Sequence, residues 1–329
     1  MPNQSDTFFV RMPMWAAVMA IPAVAVACND DNDITDPDPD DPATIAELVS
    51  DDENFATLEA ALEAADLLDA LDDEDATFTV FAPDDDGFEP INVDALLDDP
   101  DALVEVLGYH VIPDAAVGSD ELEDGDTFET LSGDNVTVEL DDDGSVRIEG
   151  STVTTADVEA TNGVIHVLDR TLLGNQDLAD VTRFVSATGT LHQLLEEAGL
   201  DGPLGTADSV TVFGPDNEAI DDAEDLVEDL SEEELLEVLQ YHVFPEGLVT
   251  SRELLTILDQ EEGETELEML QGDALTLTLQ NEADVALNED QAELRSGLLD
   301  FHGSNGVLHV IDGVLLPPGL EDGNDNEDG

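Results

Sequence analysis

The chain has 329 residues and a mass of 35.1 kDa, room for two domains of ordinary size. Its 84 Asp and Glu stand against 6 basic residues, every one an arginine, for a formal charge of -78. Without lysine there is no Walker A loop and no pyridoxal phosphate Schiff base, and nothing here can neutralise a run of phosphates, which excludes nucleic acid as a partner.

The N-terminus carries one hydrophobic stretch, Met12 to Ala27, with Arg11 ahead of it and Cys28, the sole cysteine, behind it. The stretch is shorter than the roughly 20 residues a membrane span needs, and Pro13 and Pro22 oppose a spanning helix. Residues 1–27 therefore read as a signal peptide. Ala25-Val26-Ala27-Cys28 resembles a bacterial lipobox, with Ala25 where Leu is usual, so Cys28 is the candidate lipidation site. Plain secretion and an uncleaved anchor are the alternatives. Residues 28–43 follow as an acidic linker; Asn29 to Ala43 has seven Asp and three Pro, and reads as a solvated tether. A calcium loop of EF-hand type needs a glycine that this segment lacks.

An internal repeat fills the remainder. Thr77–Asp84 (TFTVFAPD) returns as Ser209–Asp216 (SVTVFGPD), and Leu107–Asp114 (LGYHVIPD) as Leu239–Glu246 (LQYHVFPE), both 132 residues later. Thr130–Asp134 returns at Met269–Asp273 after 139 residues, and Thr161–Leu173 (TNGVIHVLDRTLL) at Ser304–Leu316 (SNGVLHVIDGVLL) after 143. Block order is kept and the growing offset places two insertions in the second copy. The expectation is two homologous domains, 44–173 and 178–316, with an acidic tail at 317–329.

Each copy opens with helical spacing, as in Leu58, Leu62, Ala65 and Leu68. A strand follows at Thr77–Ala82, with Phe78, Val80 and Ala82 on one face. Asp99 is an N-cap with Pro100 at the first helical position, and Ser231 with Glu234 forms a capping box in the second copy. Alternation at Val136, Val138 and Leu140, and at Leu275, Leu277 and Leu279, predicts strands in the back half. Asn162-Gly163 and Asn305-Gly306 are turn signals, each leading into an apolar strand buried on both faces. Helices followed by strands give an α+β class.

Four histidines repeat: His110 with His242, and His166 with His309; His192 and His302 do not. A zinc site needs at least three protein ligands, and each copy repeats only two. His166 and His309 lie mid-strand and read as structural, hydrogen-bonded core residues. No G-x-S-x-G, H-E-x-x-H or G-x-G-x-x-G occurs, so no catalytic residue, metal site or cofactor is expected. Non-specific binding of cations to the carboxylates is.

TVFAPD, the Tyr-His pair and NGVIHVLD, all found twice, resemble the two sequence boxes and the central Tyr-His of fasciclin-like domains. Two departures are Gly214 where the first copy has Ala82, and Asp84-Asp85-Asp86 where the family shows Thr or Ser and then Asn or Glu. The resemblance implies a β-sandwich or wedge with packed helices, and a non-enzymatic, extracellular or membrane-anchored adhesion module. It maps the family's proposed adhesion residues to Tyr109, His110, Tyr241 and His242. The expected partner is a cell-surface or matrix component, with the membrane reached through a lipid anchor; an envelope protein binding a small ligand or cations is the alternative. At this charge a fold repels itself in dilute buffer, whereas in molar salt the Debye length falls to roughly 3 Å. With 41% hydrophobic and only 4% aromatic residues, the cores are aliphatic, and the composition points to a halophilic microbe.

Overall fold

A computed structural model describes residues 43–141, 144–281, 284–288 and 291–320. The expected signal peptide, the candidate lipidation site Cys28 and the expected acidic linker up to Pro42 lie outside the described residues, as do residues 321–329 of the expected tail.

The first repeat begins with α1 (Ile45–Asp51), α2 (Ala56–Ala64) and α3 (Leu68–Leu71). The Leu58–Leu68 stripe is not one helix: α2 stops at Ala64 and Asp66 takes a left-handed turn (φ 56°), which redirects the chain into α3. Then come β1 (Phe78–Pro83), α4 (Asp85–Phe88), α5 (Val93–Leu97) and α6 (Pro100–Tyr109). Asp99 caps α6 through Ala102 N–H, with Pro100 at N1. Strands β2 (Val111–Pro113), β3 (Thr127–Glu129), β4 (Asn135–Leu140), β5 (Val146–Ile148), β6 (Ser151–Ala160) and β7 (Gly163–Leu168) complete it. Seven strands form one sheet in the order β2-β1-β7-β6-β5-β4-β3, with β1 and β7 parallel and the other pairs antiparallel.

The second repeat follows the same course: α7 (Leu178–Phe184), α8 (Gly189–Glu197), α9 (Asp201–Gly205), β8 (Val210–Pro215), α10 (Asn217–Asp222), α11 (Glu224–Asp229), α12 (Glu232–Tyr241) and β9 (Val243–Phe244). Where the first repeat has only a 3-10 turn at Ser119–Glu121, the second has α13 (Ser251–Gln260). That helix accounts for the first insertion. β10 (Glu264–Glu268), β11 (Ala274–Leu279), β12 (Val285–Leu287), β13 (Ala292–Glu293), β14 (Phe301–Gly303) and β15 (Gly306–Ile311) follow. The second insertion breaks the long strand equivalent to β6 into β13 and β14. The strands therefore form two sheets of four, β10-β11-β12-β13 and β14-β15-β8-β9.

Alternation along β1 separates two cores. Phe78, Val80 and Ala82 face the helices, while Phe81 faces Tyr109, Val136, Val138 and Ile148 inside the curved sheet. The helix-side core does not stop at the repeat boundary. It runs from Ile45, Leu58 and Leu103 into Leu178, Val181, Phe184 and Leu308, so the two repeats share one buried cluster. No described helix is long and apolar enough to cross a membrane.

The Asn-Gly pairs do more than turn the chain. Asn162 Oδ1 accepts from Ile45 N–H and Nδ2 donates to the carbonyls of Leu71 and Asp73; Asn305 holds Leu178, Leu204 and Ala207 in the same way. Each glycine lies against the first residue of the parallel partner strand. A Cβ on Gly163 would sit 1.9 Å from Phe78 O, and one on Gly306 2.1 Å from Val210 O, so only glycine lets the two backbones meet.

Candidate interaction surface

The Tyr-His pairs end α6 and α12. Helix periodicity turns both aromatic rings inward, and Tyr109, His110, Tyr241 and His242 are 0–2% exposed. These four side chains lie in the interior, where a partner does not reach them. Tyr109 Oη donates to Asn135 O at 2.9 Å and Tyr241 Oη to Ala274 O at 2.8 Å, fixing each helix to the fourth strand of its repeat. His110 Nδ1 donates to Val106 O (2.7 Å), which makes Nε2 the acceptor of Leu172 N–H (2.9 Å). His242 makes the same two bonds, to Val238 O and from Leu315 N–H. Burial, partly offset by the helix carbonyl, lowers both imidazoles to about 4 and keeps them neutral.

His166 and His309 form the second equivalent pair. His166 Nε2 donates to Val117 O and Nδ1 accepts from Asp157 N–H; His309 does so with Val249 O and Asp300 N–H. Each ring packs on the phenylalanine of the parallel strand, Phe81 or Phe213, with centroids 5.8 Å apart. Both nitrogens of all four repeated histidines are thus taken by backbone groups. Among the described residues no group of three or more His, Cys, Asp or Glu is placed to hold a metal.

Of the two histidines that do not repeat, His192 stays within the second repeat, against Thr182 and Glu196, and His302 sits where the two repeats meet. His302 Nδ1 lies 3.1 Å from Glu149 Oε2, with both side chains nearly buried. Burial opposes the charge on His302, but Glu149, aided by Asp300 and Glu139, outweighs it and holds the imidazole above its ordinary value. Burial likewise pushes Glu149 up, and His302 together with Thr137 N–H brings it below the usual carboxylate range. Arg170 donates to the carbonyls of Leu299, Asp300 and Gly150 and lies over the Phe301 ring. Arg183 reaches back to Asp99 at 3.1 Å, and Arg252 to Leu140 O at 3.3 Å. Three of the five arginines among the described residues therefore link one repeat to the other, in a chain where positive charge is scarce. Backbone pairing reinforces them. Ile91 and Val185 form an antiparallel bridge, Asn92 N–H donates to Phe184 O and Ser186 N–H to Pro90 O. A cleft of about 220 Å³ remains at this seam, lined by Arg147, Arg170, Asp169, Asp300 and their neighbours.

The Fasciclin domain profile matches residues 53–174 and again 186–317. The chain belongs to the fasciclin domain family. Among its relatives, a Synechocystis protein called Protein sll1483 is 41% identical over 139 residues, covering 41% of this chain and 75% of that protein. The transforming growth factor-beta-induced protein ig-h3 of Sus scrofa is 32% identical over 185 residues, 54% of this chain but only 26% of that longer protein. In structure, the chain is similar to a FAS1 domain pair from the insect cell adhesion molecule Fasciclin I (18% identity, TM-score 0.40, 82% of this chain and 95% of that one). This fasciclin chain is an α+β protein of two tandem copies. Neither Glu149–His302 nor Arg170 carries a repeat signature. The signal that could have found them is the reverse one: charged residues present in only one copy.

Proposed function

We propose that this fasciclin protein is a non-enzymatic adhesion module displayed on the surface of a halophilic microbe, anchored through lipidated Cys28 on an acidic tether. The observation that carries the reading is the tandem fasciclin pair itself, joined through a shared core into one body that can present a fixed outer surface. The repeated histidines are committed to backbone groups, which leaves contact with partners to that surface. The charge of -78 supports the saline setting. The cleft at the seam favours the second reading, capture of a small polar ligand; its Arg170 is already occupied by three carbonyls, so adhesion is preferred.

Labelled protein lacking residues 1–27 should bind the envelope of its host saturably in molar salt, and Cys28→Ala should release the full chain from the membrane fraction. Non-saturable binding contradicts adhesion, and membrane retention of Cys28→Ala contradicts the lipid anchor. A native circular dichroism spectrum with unchanged melting temperature at about 10 mM salt would contradict the halophilic setting.

A further inference from the structure

The repeat supplies an internal comparison that bears on where a partner docks. In the second repeat, the end of α7 and the turn after it form a socket. Its Phe184 O and Ser186 N–H receive the extended segment Pro90–Asn92 of the first repeat, and Ile91 anchors that segment in the shared core. The same elements exist in the first repeat. Asn162 and Asn305 hold Ile45 and Leu178 identically, so Asp51, Asp52 and Glu53 are the counterparts of Phe184, Val185 and Ser186. Among the described residues no backbone partner is bonded to Asp51 O or Glu53 N–H.

What lies over this first-repeat socket is a groove of about 860 Å³. Its floor is aliphatic and aromatic, with Leu48, Phe55, Ile165 and Val167. Val310, the counterpart of Val167, is fully buried, whereas Val167 is only partly so. The rim is acidic: Asp51, Asp52 and Glu53 are exposed, and Asp84 closes one side. In the second repeat the counterpart of Asp84, Asp216, is paired with Arg295 at 2.8 Å. In the first, Thr154 and Thr155 line the groove there, and no described cation reaches Asp84.

We propose that this groove docks an extended peptide segment of a partner protein, with one aliphatic anchor flanked by arginine or lysine, completing in trans the contact that joins the two repeats in cis. The reading rests on the adhesion function above and assigns it a surface. Backbone pairing with Asp51 and Glu53 gives strand addition, and the floor takes the anchor. The rim selects sign. Beside the occupied socket Arg183 meets an acidic residue of the first repeat, Asp99; the open socket bears carboxylates instead and favours basic flanks. A second copy of this chain is a poor occupant, because the segment equivalent to Pro90–Asn92 lies within Asp221-Asp222-Ala223-Glu224, with three carboxylates and no large aliphatic side chain.

Two synthetic peptides test this on the full chain, at the lowest salt that preserves its native spectrum. One, Arg-Arg-Pro-Ile-Asn-Arg, carries the anchor with basic flanks; the other copies Gly87–Asn92. The basic peptide should bind and the acidic one should not, by fluorescence anisotropy. Asp51→Arg with Glu53→Arg should weaken the basic peptide about tenfold or more and let the acidic one bind. Thr155→Trp, at an exposed position that leaves the charges in place, should block the basic peptide with an unaltered spectrum. Failure of the basic peptide to bind, or equal binding to the charge-reversed protein, overturns the proposal. So does self-association of the native chain that the same charge reversal abolishes, which would make a second copy the occupant. Envelope binding that survives Thr155→Trp removes the groove and leaves the adhesion reading standing; peptide binding without any envelope binding does the opposite.

Discussion

The two repeats are built from the same boxes and finish differently. Around the histidines they superimpose bond for bond: His110 and His242, His166 and His309, and even the left-handed Asp157 (φ 59°) and Asp300 (φ 57°) with their serine partners. Away from them they diverge. The first repeat keeps one sheet of seven strands and an open groove; the second splits its strands into two sheets of four, and its socket is filled by the first. The repeated histidines thus build each fold, while the unrepeated Arg170, Arg183 and Glu149 belong to the joint. Glu149 illustrates this best. Its counterpart is Asn288, and both receive a backbone N–H, from Thr137 or Thr276, at left-handed positions; only Glu149 also meets a histidine of the other repeat.

The largest effect is expected at Arg170. Its counterpart in the second repeat is Gly313, so the fold itself does not require a cation there. Arg170→Ala leaves three carbonyls without their donor and should destabilise the pair by about 3 kcal/mol or more. Unfolding followed in denaturant should separate into two steps, each near the stability of one repeat. A single unshifted transition would mean that the joint does not depend on this residue.

The histidines that repeat should behave as equals. His110→Ala and His242→Ala each orphan a buried N–H and a buried carbonyl, at a cost of about 1–3 kcal/mol apiece. They also set an acid limb. Their folded pKa of about 4 lies below the unfolded value near 6.5, so the unfolded state binds protons first as pH falls. Stability contributed by the neutral rings is whole above about pH 6.5 and declines down to about 4, by up to about 3 kcal/mol per ring. Chemical denaturation of wild type and each variant between those pH values checks this; each variant should lose one ring's share of the slope, the same share for both.

A smaller effect, of opposite sign in pH, belongs to the joint. The His302 pKa is raised in the folded pair, so its contribution is complete below the unfolded value and fades as pH rises through the folded one. Glu149→Asn, which copies the second repeat, should cost about 1–2 kcal/mol near neutral pH. It should cost less as pH rises through the raised folded pKa and the imidazole loses its proton. A cost that does not change with pH would assign Glu149 to its Thr137 bond alone.

The repeat blocks, the Asp99 and Ser231 caps and the strand alternations were legible because they are local: period, capping and turn chemistry act over a few residues. The roles of His166 and Asn162 were partly legible, since a polar residue inside an apolar run must find a partner, although which backbone groups supply it depends on the fold. Arg170, Arg183 and Glu149 were not legible. Their partners are 84 to 153 residues away in sequence, at Asp99, Leu299 and His302, and no periodicity encodes such contacts. The Tyr-His pairs misdirect for the same reason: a box found twice marks what each copy needs in order to fold as readily as what it uses outside.

The central claim is that the two fasciclin repeats form one cooperative body through a shared core and an arginine-rich joint. Scanning calorimetry of residues 43–320 in molar potassium chloride addresses it directly. One transition with equal calorimetric and van't Hoff enthalpies is the predicted result, and Arg170→Ala should resolve it into two. Two independent transitions in the native protein, unchanged by Arg170→Ala, would contradict the account.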